Sequence, residues 1–194
     1  APGSSAKQIL QVMVDRMNEE IDSFGIPKSK VHEVLTLASV IQKEARLKND
    51  FYKVSRTFQN RLDQGMHLQS DATVSYGVGG NTVSTSSADR ADNNGYNTYL
   101  HAGLPVGPIS APGSVAIDAA LHPAAGKWLY FCTINLETGE TVVVTLGDDG
   151  EIRAHRVERV APHPLGCGAG GRTIAQGKHA GPFGVRRLKS VRMD

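Results

Sequence analysis

Apolar residues recur at three- and four-residue steps from the start of the chain. Ile9, Leu10, Met13, Met17, Ile21 and Phe24 mark one face of a first helix. Ser5 with Gln8 offers a capping box at its start, and Gly25 and Pro27 supply its stop. A second helix is predicted behind Ser29, which can cap it. There Val31, Val34, Leu35, Ala38, Ile41 and Ala45 form one stripe, while Leu37, Val40 and Leu47 lie off it. A helix apolar around most of its circumference is one buried on two sides. A third helix, capped by Asp50, turns Phe51, Val54, Phe58 and Leu62 inward and stops at Gly65. Residues 66–69 read as a short extended piece, and Ser70 or Asp71 can cap a short helix that ends at Gly77.

The pattern then changes. Residues 79–95 are rich in Gly, Asn, Ser, Thr and Asp and read as a long loop. Tyr96-Asn-Thr-Tyr99 opens a turn or short helix, residues 103–113 carry three prolines in a loop, and residues 115–121 form a small-residue helix. Residues 127–134 are a strong strand, 137–139 a turn, 141–146 its hairpin partner, 148–150 a second turn and 151–161 a third strand. This order predicts an α+β fold, with N-terminal helices packed on a small, mostly antiparallel sheet. Residues 1–160 make one domain, and 161–194 an irregular tail rich in Gly, Arg and Pro with no packed core.

The formal charge of +2 conceals two unlike parts. Residues 1–160 hold 15 Lys/Arg against 18 Asp/Glu, a net −3, and residues 161–194 hold six against one, a net +5. The body is therefore not built for a polyanion, and no nucleic-acid partner is expected. Cys132 and Cys167 do not make a disulfide framework. No run approaches the roughly 20 apolar residues of a membrane span. The chain begins without Met and reads as a fragment or processed piece. Seven histidines show no metal-ligand spacing and no C-x-x-C accompanies them, so neither metal nor cofactor is expected. Gly166-Cys-Gly-Ala-Gly-Gly171 matches a dinucleotide fingerprint in form alone, with no strand before it and no helix after.

Glu44 carries the candidate chemistry. It follows Ile41 by three, Val40 by four and Leu37 by seven, which places it on the second apolar face. A carboxyl against apolar surface loses hydration, holds its proton to higher pH and can serve as a general acid. The plain alternative is a helix-end Glu paired with Lys48 at i, i+4. Downstream, Gln69, Ser70, Asp71 and Thr73 form a polar cluster that could cap a helix or hydrogen-bond a ligand. Tyr76, Tyr96 and Tyr99 could pack on a ligand or fill the core.

Leu37-Ala-Ser-Val-Ile-Gln-Lys-Glu-Ala45 resembles the catalytic helix of the endolytic murein transglycosylases, the YceG-like family. Asn60-Arg-Leu-Asp-Gln-Gly-Met-His-Leu-Gln-Ser-Asp-Ala-Thr-Val-Ser-Tyr-Gly77 resembles that family's next signature. Tyr96-Asn-Thr-Tyr99, the segment from Gly103 to Gly113, and Leu129-Tyr-Phe131 follow in the family's order. The likeness runs from about residue 5 to about residue 141. It implies cleavage of the β-1,4 bond between N-acetylmuramic acid and N-acetylglucosamine within peptidoglycan strands, leaving 1,6-anhydro-muramoyl ends. Glu44 would be the acid and then the base. Substrate contacts would come from Gln69, Ser70, Asp71, Thr73, Tyr76, Tyr96, Asn97, Thr98 and Tyr99. The resemblance also implies a site outside the cytoplasm at the membrane face, and cell-wall synthesis or division proteins as partners.

Two other readings stay open: a peptidoglycan-binding or division-complex module without catalysis, and a hydrolase that pairs Glu44 with Asp71. Ala72, Val106 and Ala111 depart from residues usual in the family. After Thr141 the expected aromatic and Glu-His helix are missing, which suggests an altered reading frame or an unrelated end.

Overall fold

The computed structural model describes residues 3–80, 85–135, 140–146, 152–156 and 192–193. Among the described residues six helices precede the strands, in the order α1 (Ala6–Ser23), α2 (Val31–Glu44), α3 (Lys48–Asp63), α4 (Asp71–Gly77), α5 (Ser87–Ala91) and α6 (Ser114–Leu121). The strands are β1 (Tyr130–Asn135), β2 (Glu140–Leu146), β3 (Ile152–Arg156) and β4 (Arg192–Met193). The class is α+β, as the pattern predicts.

α2 is the centre of the domain. Six consecutive residues from Thr36 to Ile41 are buried, because α3 packs on one side and α6 on another. α6 comes close through small side chains, with Ala116, Ala119 and Ala120 buried beside Ile117. The polar members of α2 tie down the proline-rich loop. Ser39 Oγ donates to the Thr36 carbonyl at 2.7 Å and accepts from the Ile109 amide at 2.9 Å. Gln42 Oε1 accepts from the Gly113 amide at 3.0 Å, at the entry to α6.

α1 starts with the expected capping box between Ser5 and Gln8. Its apolar stripe is only half used. Met17, Ile21 and Phe24 pack against the core, whereas Ile9, Leu10 and Met13 are exposed. Among the described residues nothing lies against its first turns.

Two expected caps differ. The residue before α2 is Lys30, with no side-chain cap, so Ser29 does not serve. α3 begins at Lys48, which puts Asp50 inside the first turn and fully buried. The predicted loop at 79–95 contains α5, held by a capping box between Ser86 and Asp89. Short polar helices of this kind carry no apolar period and escape a pattern reading.

The sheet runs β1-β2-β3-β4. β1 to β2 and β2 to β3 are antiparallel, with Phe131 opposite Val143 and Val143 opposite His155. β4 pairs parallel to β3 through Arg192 and Met193, inside the segment read as an irregular tail. The turns predicted at 137–139 and 148–150, and residues 161–191, lie outside the described residues. α3 packs on the sheet: Phe58 meets Phe131 edge to face, with ring centroids 5.5 Å apart. Among the described residues no helix is long and apolar enough to cross a membrane.

Candidate active site

α2 stops at Glu44. Ala45 turns extended and caps the helix through its amide to the Ile41 carbonyl. Lys48 opens the next helix, so an i, i+4 pair with Glu44 does not form. Glu44 instead reaches across to the start of α4. Ser70 Oγ donates to Glu44 Oε1 at 2.5 Å, and the Ala72 amide also donates to the carboxylate. α4 has no side-chain cap of its own. The Ser70 hydroxyl is committed to Glu44, and Glu44 supplies part of the capping that Ser70 would otherwise give.

Glu44 is partly buried. Loss of solvent pushes its carboxyl pKa up, and the negative charge of Asp71 pushes it further; the Ser70 and Ala72 hydrogen bonds act against both. The net direction is upward. Its place at the C-terminal end of α2, where the helix dipole disfavours an anion, acts the same way.

Behind Ser70 lies a buried lattice of hydroxyls. The Ser70 amide donates to Thr98 Oγ1 at 3.1 Å, and Thr73 Oγ1 donates to the Ser70 carbonyl at 2.7 Å. Thr73 Oγ1 and Thr98 Oγ1 are 2.8 Å apart. Asn97 is fully buried and fully used: Nδ2 donates to the Arg90 and Asp92 carbonyls, and Oδ1 accepts from the Tyr99 amide. Thr73 and Thr98 thus fix the backbone of Gln69 and Ser70, while Asn97 ties the segment from Arg90 to Tyr99 together. Gln69 itself is exposed, its amide donating to the Thr98 carbonyl at 3.0 Å. It alone among the described non-glycine residues has a positive φ, 51°. That local strain sits beside the candidate acid.

Asp71 Oδ1 accepts from Thr85 Oγ1 at 2.5 Å and from the Tyr99 hydroxyl at 2.9 Å. Burial first, and then this bond to Asp71, push the Tyr99 phenol up to about 12. Tyr76 and Tyr96 pair with each other, centroids 4.8 Å apart; Tyr76 is exposed and Tyr96 leans on the core.

An open cleft of about 240 Å³ joins these parts. It is lined by Glu44, Gln69, Ser70 and Asp71, together with Phe58, Arg61, Leu68 and Phe131. The sequence reading gave none of the last four a place at the site. Arg61 had a signal: it follows Val54 by seven and Phe58 by three, so a cation sits on the buried stripe of α3. Among the described residues no group of three or more His, Cys, Asp or Glu gathers as metal ligands would.

Ser70→Ala tests the link to Glu44. The lost hydrogen bond favoured the ionised carboxyl, so Glu44 will keep its proton to higher pH and the alkaline limb of any pH–rate profile will move up. If Glu44 serves as a general acid, turnover will also fall about tenfold as the carboxyl loses its anchor. An unmoved limb would show that Ser70 serves only α4.

The YceG-like family model matches residues 1–145. The chain is 37% identical over 134 residues to an endolytic murein transglycosylase of Bacillus subtilis, covering 67% of this chain and 37% of that protein. It is 31% identical over 135 residues to one of Streptococcus pneumoniae, covering 63% and 24%. A crystal structure of a yceG-like protein from Listeria monocytogenes superposes with a TM-score of 0.62 at 35% identity, covering 74% of this chain and 48% of that one. The chain thus spans 24–37% of the length of these curated relatives. With three-quarters of its length under the family model and the same fold in a solved relative, the chain belongs to the YceG-like family.

Proposed function

We propose that this domain cleaves peptidoglycan strands as a lytic transglycosylase, with Glu44 acting first as acid and then as base. The observation that supports this most is a partly buried carboxyl, biased toward its protonated form, at the wall of an open cleft. A protonated Glu44 donates to the oxygen of the β-1,4 bond, and the N-acetylglucosamine unit leaves as an alcohol. The resulting Glu44 carboxylate takes the proton from the C6 hydroxyl of the muramoyl residue. That oxygen closes on C1, and a 1,6-anhydro end forms without water. One carboxyl passes one proton in and takes one back, so no second carboxylate is required. Hydrolases, in contrast, use two carboxyls, about 5–5.5 Å or about 6.5–9.5 Å apart. Since peptidoglycan lies outside the cytoplasm, the domain would work there. Mass spectrometry of peptidoglycan digested by this chain tests the reading: anhydro ends support it, and reducing ends alone defeat it.

The hydrolase reading has one observation in its favour, since Asp71 lines the same cleft as Glu44. Its Oδ1 already accepts two hydroxyls, which suits a fixed charge better than a nucleophile or a base for water. Asp71→Asn separates the two. Removing a negative charge beside Glu44 makes its proton easier to lose, so the alkaline limb will move down while products stay anhydro-ended. A variant whose residual products remained reducing-ended, with activity nearly abolished, would favour the hydrolase.

A further inference from the structure

Arg61 is 8% exposed, yet it lines the cleft that holds Glu44. Its Nε donates to the Leu129 carbonyl at 2.7 Å, and one terminal nitrogen, Nη1, donates to the carbonyls of His67 and Leu68 at 3.2 and 2.8 Å. The Tyr130 ring covers the guanidinium, 4.9 Å from Cζ to the centroid. These contacts satisfy three N–H groups with neutral acceptors, and none cancels the charge. Among the described residues no carboxylate lies within salt-bridge distance of Arg61. The two acids of the cleft are bound elsewhere, Glu44 by Ser70 and Ala72 and Asp71 by Thr85 and Tyr99. Burial accordingly weakens the hold of Arg61 on its proton.

A buried cation without a counter-ion is costly. A clamp between β1 and the 67–68 segment needs donors and no net charge, so the charge itself calls for another explanation. The second terminal nitrogen, Nη2, donates to no acceptor among the described residues. A guanidinium edge of this kind suits a carboxylate. Along a peptide-bearing strand the sugars offer hydroxyls and acetamido groups, and the lactyl carboxyl of each muramoyl residue is taken up in the amide that carries the peptide. The carboxylates of peptidoglycan belong to the peptide, and the peptide hangs from the muramoyl residue, whose C1 is the one attacked.

We propose that Arg61 is a substrate-specificity residue that takes a peptide carboxylate of the strand held at Glu44. The proposal rests on the transglycosylase reading. It makes the domain a reader of peptide-bearing strands and leaves a strand whose peptide carboxylates are blocked a poor substrate.

The test uses peptidoglycan in two forms, native and with its peptide carboxylates converted to methylamides. The unaltered chain is expected to lose about tenfold or more in kcat/KM on the amidated form, mainly through KM. Arg61→Gln should show the same loss on native material and no further loss on amidated material, and Arg61→Lys should recover part. Equal cleavage of both forms by the unaltered chain overturns the proposal, with no variant needed, so a poorly folding Arg61→Gln does not obstruct it. Equal losses by Arg61→Gln on both forms also overturn it and leave Arg61 a clamp. Co-sedimentation of the Glu44→Gln chain with both forms is scored alongside. If the unaltered chain releases no anhydro ends, the activity reading fails, while weaker binding to the amidated form still upholds Arg61 and equal binding refutes it.

Discussion

Glu44→Gln is expected to lower the release of anhydro ends by about 10²–10⁴-fold, the share of the barrier a positioned general acid supplies. The substitution is a clean one. Gln keeps an oxygen to accept from Ser70 Oγ and the Ala72 amide, so the start of α4 stays in place, and only the transferable proton is lost. Stability should move the other way. The folded state raises the Glu44 pKa above its ordinary value of 4.5, so between that value and the raised one the folded chain binds more protons than the unfolded chain. Stability contributed by this group is complete below about pH 4.5 and is lost as pH rises through the folded pKa. A neutral amide has no such loss. The Gln variant will therefore melt higher than the parent at pH 7–8, and the two will converge near pH 4. Thermal melts across that range, read beside product analysis, check both halves. A variant that is inactive and also less stable at neutral pH would mean that Glu44 is held as an ion for structural reasons. Such a trade of stability for chemistry is what the proposed role of a desolvated carboxyl requires.

Much of this was legible in the sequence, for identifiable reasons. α2 announced itself because its burial on two sides writes apolar residues around the whole helix, and that same pattern isolated Glu44. The β1–β2 hairpin was legible from its run of aromatic and β-branched residues. The cleft was not. Its parts come from the end of α2, the second half of α3, the start of α4 with the segment before it, and β1, and no local period records that they meet. Ser70 looked like an ordinary cap, and its real partner is 26 residues away. Thr73, Asn97 and Thr98 had the polarity of ligand-binding residues, but their hydrogen bonds close on the backbone around them. α1 shows the opposite failure: a faultless amphipathic pattern whose first turns find no partner among the described residues. Periodicity reports that a face is apolar and says nothing of what covers it.

Phe58→Ala is expected to cost about 3–5 kcal/mol of stability. Phe58 is 1% exposed, stands edge-on to Phe131 and joins α3 to the sheet, so its removal leaves a cavity that two layers must share. For a chain of this size each kcal/mol lowers the melting temperature by roughly 2–4 °C, and a fall of about 10 °C or more should be seen by calorimetry. The same ring is also part of the wall beside Glu44. Phe58→Leu keeps more of the packing and costs less than Phe58→Ala, but it opens the wall to water. Water that reaches Glu44 relieves the desolvation that raises its pKa, the largest of the causes acting on it. The alkaline limb of Phe58→Leu should then move down, the opposite of Ser70→Ala, in a protein that still folds. If Phe58→Leu loses stability without moving that limb, the apolar wall does not set the protonation of Glu44, and the charge of Asp71 and the helix end must do so instead.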